Sequence, residues 1–144
     1  MALRYLLDTN VVSELTKAMP SEAVIKTLQK HEAACAICAP TLEEFVFGCA
    51  RLQPGARQAW FRRWLDGLMT RIAVLPYDMK AALWLGQERA RLAGLGRPAP
   101  RMDGEIAAVA VTNGLTLVTR NGRDFEGFLG LSLNDWHGDG SAKP

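Results

Sequence analysis

Four acids in this 144-residue chain fall at the exit of an expected strand or at the start of the helix that follows it. They are Asp8 after Tyr5, Leu6 and Leu7, Glu44 in "TLEEFVFG", Asp103 at the head of "DGEIAAVAVTNG", and Asp124 just beyond "LTLVTRN". Carboxylates gathered into one pocket repel, so such a cluster costs stability unless divalent cations neutralise it or some of the acids stay protonated. Oxygen-only donors select hard cations, Mg²⁺ or Mn²⁺, over zinc. A cation held this way lowers the pKa of a bound water, orients it and neutralises charge on a phosphodiester, with no protein nucleophile needed. Each acid taken singly also has a structural account. Asp, Thr and Asn in "DTN" are good helix caps, and acids in a first helical turn are favoured by the helix dipole. Four acids from separate segments are harder to explain that way.

Other chemistries lack their parts. There is no Ser with a His and acid partner, no "GxxxxGK" phosphate loop and no "GxGxxG" turn after the first strand. The three cysteines, Cys35, Cys38 and Cys49, are odd in number and sit in apolar surroundings, which suits reduced core thiols. "CAIC" has redox spacing but reads as strand, whereas a redox pair wants its first Cys at an exposed helix N-terminus. His31 and His137 stand alone, without a second Cys/His pair for zinc, and are expected at the surface. An aspartyl-phosphate enzyme also places an Asp after its first strand, but it wants a second acid where Asn10 stands and a late-strand Lys where this chain has Arg120.

The elements that must position the acids read as strands alternating with helices. After the first strand come a helix from about Asn10 to Lys17 and a second, capped by Ser21, to about Lys30. "AACAICAP" is a strand closed by Pro40, and "TLEEFVFGCARL" a helix with Glu43 and Glu44 in its first turn. "ARQAWFRRWLDGLMTR" is amphipathic with Trp60, Phe61, Trp64, Leu65 and Leu68 inward. "IAVLPY" is a third strand, and a long helix from about Met79 to Ala93 leads to the loop "GLGRPAPRM". A helix capped by Asp103 stops at Asn113 and Gly114, "LTLVT" is the fourth strand, "RNGRDFEGF" a turn and "LSLN" a fifth strand. This alternation predicts one α/β domain, a parallel five-stranded sheet flanked by helices on both faces, spanning residues 1–136, with 137–144 a flexible tail. In such sheets ligands bind outside the strands' carboxyl ends, where the four acids fall.

Net charge is +2, hydrophobic content 49% and charged content 22%, as in ordinary globular proteins. No apolar run approaches the ~20 residues that cross a bilayer, and Arg4 and Asp8 interrupt any leader-like stretch, so a cytoplasmic protein without membrane contact is expected. Basic residues gather at Arg57, Arg62, Arg63 and Arg71, and again at Arg89, Arg91, Arg97 and Arg101 before Asp103. Arg97 and Arg101 are therefore candidates for phosphate contacts.

"YLLDTNVVSEL", "TLEEFVFG" and "DGEIAAVAVTNGLTLVTRNGRDF" together resemble, in order and separation, the signature segments of PIN-domain proteins of the VapC/FitB-like toxin group, from Tyr5 to about Trp136. The resemblance implies a Mg²⁺-dependent endoribonuclease, Mn²⁺ substituting, that acts as the toxin of a type II toxin–antitoxin pair. It assigns catalytic, metal-holding roles to Asp8, Glu44, Asp103 and Asp124, and supporting or substrate-contacting roles to Asn10, Thr119 and Asn121. Glu43 departs from the usual uncharged residue. Neighbours on a helix point about 100° apart, and Phe47 and Gly48 fix the register in favour of Glu44. The partners implied are an RNA substrate, a small cognate antitoxin, a second copy in a homodimer, and a larger complex with antitoxin on DNA. The alternative is a catalytically silent PIN-like binding module whose acidic pocket holds a partner's basic residue.

Overall fold

Buried apolar triplets make the sheet. The computed structural model describes residues 2–138. Its strands are β1 (Tyr5–Leu7), β2 (Cys35–Cys38), β3 (Ala73–Leu75), β4 (Thr116–Val118) and β5 (Ser132–Asn134). All pairings are parallel, in the order β3-β2-β1-β4-β5. β1 lies at the centre with every side chain buried, as its unbroken apolar run demands. Side chains alternate across it: Leu6 joins Ala36 and Leu117 in one core, while Tyr5 and Leu7 join Ile37 and Val118 in the other.

Among the described residues six α-helices cover the two faces: α1 (Thr9–Glu14), α2 (Glu22–His31), α3 (Ala39–Ala50), α4 (Ala56–Arg71), α5 (Met79–Gly94) and α6 (Arg101–Thr112). Val11, Val12, Val24, Leu28 and Leu68 from α1, α2 and α4 pack on the Leu7 side. Leu85 and Leu92 of α5 and Ile106 and Val109 of α6 pack on the Leu6 side. Ser21 caps α2 by accepting the Val24 N–H at 3.3 Å, as its residue type suggests. α6 ends as "TNG" suggests: Gly114 turns left-handed at φ 67°, and Leu115 N–H reaches back to Ala110 O at 2.9 Å. That closure sends the chain straight into β4.

Several local expectations need correction. α1 ends at Glu14 and not near Lys17. Pro40 does not close β2 but sits in the first turn of α3, where its missing N–H removes a group that has no helical partner. α3 therefore starts two residues early, and Glu43 and Glu44 lie in its second turn. Asp103 is the third residue of α6, not its cap. Trp60 is not inward but 44% exposed, with Phe61 and Trp64 half-buried and only Leu65 and Leu68 fully in the core.

The end of the described chain also differs from a loose tail. Trp136 is buried against Tyr5, ring centroids 5.1 Å apart, and His31 stacks on the same Tyr5 at 5.1 Å. His137 is buried, not at the surface. Its Nδ1 lies 3.1 Å from Asp135 Oδ1 and its Nε2 3.6 Å from Glu14, while its carbonyl accepts the Ser21 hydroxyl. The remainder of the expected tail, 139–144, lies outside the described residues. No helix among the described residues is long and apolar enough to cross a membrane.

Candidate active site

Asp8 leaves the C-terminal end of β1 and is buried, with 7% of its surface exposed. Its Oδ1 accepts the Thr9 N–H at 2.7 Å, so it caps α1, and its Oδ2 accepts the Thr119 hydroxyl at 2.8 Å. The capping role and the pocket role thus belong to different oxygens of one carboxylate. Burial pushes the Asp8 pKa above the usual aspartate value. The two hydrogen bonds oppose that, and the charge of Asp124 adds to it.

Asp103, half-buried on α6, is shifted the same way, first by burial and then by the charges of Asp8 and Asp124. Three carboxylates from residues 8, 103 and 124 therefore feel one another, although nearly the whole chain separates the first from the last. The parallel sheet brings them together: β1 and β4 are hydrogen-bonded neighbours, and both deliver chain to the same edge. Asp124 lies in a 3-10 turn, Gly122–Phe125, a few residues past β4, and is exposed at that edge.

The polar neighbours tie this edge together. The Thr119 hydroxyl that donates to Asp8 also accepts the Asn121 N–H at 3.0 Å. Asn10 Oδ1 accepts the Arg120 N–H at 3.3 Å, and Asp124 N–H donates to Asn121 O at 2.9 Å. Asn10 and Thr119 thus join the start of α1 to the loop after β4, while Asn121 is exposed beside Asp124. The Thr9 hydroxyl, buried next to Asp8, has no hydrogen-bond partner.

Two open crevices meet at Asp124. One, of about 640 Å³, is lined by Thr119, Arg120, Asn121 and Arg123 among others. The second, of about 370 Å³, runs toward Arg97 and Pro98. Arg101, the other expected phosphate contact, is engaged instead with Glu105 at 3.1 Å.

Glu44 is placed differently from the three aspartates. It is exposed on α3, beside Phe45, Gly48 and Leu52 in an apolar groove that α4 closes with Arg57 and Phe61. Its charge is not among those acting on Asp8 or Asp103. Among the described residues, no three Asp, Glu, His or Cys side chains form a ready-made metal cage. The cysteines are free and buried, and burial pushes the Cys35 thiol up to about 12, which removes it from redox chemistry.

Sequence reasoning missed Glu88. It is buried on α5 and accepts two bonds from Arg91 and one from the Leu129 N–H. A Glu three residues before an Arg on a helix looks like a solvated pair, and no local signal marked it otherwise.

Comparison with known proteins identifies the family and the fold. The PIN domain family matches residues 5–128. The chain is 37% identical over 134 residues to the tRNA(fMet)-specific endonuclease VapC of Shigella flexneri, covering 93% of this chain and 98% of that protein. It is 30% identical over 136 residues to Toxin FitB of Neisseria gonorrhoeae, covering 92% and 98% respectively. Among solved structures, the DNA-bound VapBC of Salmonella typhimurium matches with a TM-score of 0.81 at 32% identity, covering 93% of this chain and 98% of that one.

Proposed function

The chain belongs to the PIN-domain family, and from that premise we propose that it is a Mg²⁺-dependent endoribonuclease, the toxin of a type II toxin–antitoxin pair. The observation that carries the reading is that Asp8, Asp103 and Asp124 share one edge, where burial first and then the charges of the neighbouring acids raise the pKa of Asp8 and Asp103. Such an arrangement is unfavourable for an empty structural site and suited to a hard cation. The donor set fits Mg²⁺, which keeps several waters and ordinarily takes one or two carboxylates plus substrate phosphates, so an open edge serves it better than a closed cage. Glu44 joins the site on the strength of the motif alone, as the fourth carboxylate.

A divalent cation bound there supplies charge neutralisation and an acidified water. The chain's own residues do the rest. Thr119 and the Thr9 N–H hold the Asp8 carboxylate in one orientation. Asp103 and Asp124 complete the acidic face, and Asn10 and Asn121 present polar groups to the strand being cut. Arg97, Arg120 and Arg123 border the crevices on either side of Asp124, where sequence-independent contacts to flanking phosphates hold the RNA. Single-stranded RNA is the substrate form that fits, because a splayed phosphodiester reaches a narrow acidic edge that a duplex does not.

The antitoxin has a surface available. Val46 and Phe47 of α3 and Trp60 of α4 are 49%, 56% and 44% exposed, more apolar area than a lone chain needs to leave in water. We assign this face to the small partner, with homodimerisation on a further apolar face and a larger complex with antitoxin on DNA, as in the VapBC relative. The enzymatic reading is tested by incubating purified protein with a structured RNA pool in Mg²⁺, Mn²⁺ or chelator and mapping cleavage sites. Discrete cuts in unpaired regions that vanish with chelator are expected. Binding without cuts in any metal would leave only a silent binding module.

A further inference from the structure

α5 carries an ion pair that RNA cleavage as described does not use. Glu88 accepts from Arg91 Nε at 2.9 Å and Nη2 at 2.6 Å, a fork that a planar guanidinium makes in one orientation only. Both partners then reach off the helix to the same distant backbone. Glu88 Oε2 accepts the Leu129 N–H at 2.8 Å, and Arg91 Nη2 donates to Gly127 O at 2.7 Å. The stretch they grip begins just after Asp124.

The turn that carries Asp124 is therefore fixed at both ends. Upstream, Asp124 N–H is bonded to Asn121 O, and Asn121 N–H to the Thr119 hydroxyl that also serves Asp8. Downstream, Phe125 is buried in the core shared with Leu92 of α5, and the Glu88–Arg91 pair holds residues 127 and 129. The same helix sets Asp103. At Gly104, the next residue, a Cβ would stand 2.9 Å from Leu85 Cδ1, so α6 packs against α5 closely enough that any side chain there would make the end of Leu85 shift. One helix thus fixes the segments that bear two of the three aspartates.

A purely stabilising purpose explains this poorly. Glu88 is enclosed but 32% of the Arg91 side chain is exposed, so solvent screens the pair and limits what it adds to stability, whereas its bidentate fork fixes one geometry. We propose that Glu88 and Arg91 are positioning residues for Asp124, holding its carboxylate in register with those of Asp8 and Asp103. This rests on the reading of those three acids as the cleavage site.

The test compares wild type with Glu88→Gln, which keeps size and an acceptor for Leu129 but loses the charge that orders the fork, and with Arg91→Lys, which keeps charge but not the fork. Three quantities are read below the melting temperature of each protein: steady-state cleavage of a single-stranded RNA, Mn²⁺ affinity by direct titration, and hydrogen exchange of the Gly127–Leu129 amides without metal. In both variants those amides should exchange faster. Mn²⁺ affinity should weaken roughly tenfold, the order seen when outer partners of a ligand are removed. kcat should fall by about ten- to a hundredfold, the order a small misplacement costs, and KM should rise by less than kcat falls, because Arg97 and Arg120 hold RNA from outside the loosened turn. Should Glu88→Gln not fold, Arg91→Lys alone decides. A lower melting temperature and faster amide exchange with kcat and Mn²⁺ affinity both unchanged would mean the pair is only structural and would overturn the inference. Wild type that neither binds Mn²⁺ nor cleaves RNA would instead remove the site reading, and this inference with it.

Discussion

Asp8 does two jobs with two oxygens, and that separation makes it testable. Asn is nearly as good a helix cap as Asp, so Asp8→Asn keeps the bond to the Thr9 N–H while deleting the charge. If Asp8 only caps, nothing much changes. If it belongs to the acid cluster, the metal-free variant melts no lower than metal-free wild type because repulsion is relieved, while the stabilisation by Mg²⁺ shrinks. In wild type that stabilisation amounts to about 2.7 kcal/mol at ~100 times the dissociation constant, easily read from melting curves. The pH dependence carries the same signature. Asp8 and Asp103 hold their protons more tightly folded than unfolded, so their contribution to metal-free stability is best below 3.8 and is lost as pH rises through their folded values. Mg²⁺ competes with those protons, so its affinity falls as pH drops through the same window. Glu14 and Glu88, shifted below 4.5 first by the bonds from Lys17 and Arg91, act oppositely: their contribution is present above 4.5 and is lost as pH falls through their folded values. Melting curves of wild type and Asp8→Asn in chelator across the acid range should therefore converge at the low end and separate above it. A constant offset would contradict the cluster. Asp8 and Asp124 could be singled out in the sequence because they come after the apolar runs of β1 and β4, and Asp103 because it heads a small-residue helical segment. Glu44 was legible only as a motif position, since its exposure depends on where α3 begins.

The elements were legible to the extent that burial is two-sided or periodic. β1 and β2 are unbroken apolar runs, and the structure buries them on both faces. The start of α3 was misread because Pro40 is equally at home ending a strand and opening a helix, and only the fold decides which. The inward set of α4 was misread because periodicity marks a face without saying whether another element covers its flank, which leaves Trp60 exposed. The Glu88–Arg91 clamp was not legible at all, because its targets lie 41 and 36 residues away. The close approach of α5 and α6 gives an element-scale prediction. Gly104→Ala adds a Cβ against Leu85, whose flexible end must move, so we expect destabilisation of about 1–3 kcal/mol by denaturant unfolding. Cleavage should fall as well, because Asp103 shifts with its helix. Leu85→Ala, itself destabilising by about 2–5 kcal/mol, makes room, so adding Gly104→Ala in that background should cost no further stability or cleavage, whereas a further loss of cleavage alone would separate the packing from the site.

At the scale of the whole molecule, net charge of +2 says little about RNA, but its arrangement says more: Arg97, Arg120 and Arg123 border crevices that meet at Asp124. Arg97→Ala should weaken RNA binding across sequences and lower the salt dependence of that binding, as lost phosphate contacts do. Equal affinity at low salt would exclude it from the path. The exposed apolar residues of α3 and α4 are where the proposed antitoxin contact is tested. Phe47→Asp should leave cleavage intact while weakening inhibition by co-produced antitoxin, measured as growth in cells making both. The central claim, that Asp8, Asp103 and Asp124 form one cation-dependent RNA-cleaving site, is met most directly by single-turnover cleavage of labelled RNA in saturating Mg²⁺ by wild type and folded Asp8→Asn. The account predicts steady cutting by wild type and only the chelator background in the variant. Cutting by Asp8→Asn at the wild-type rate would contradict it.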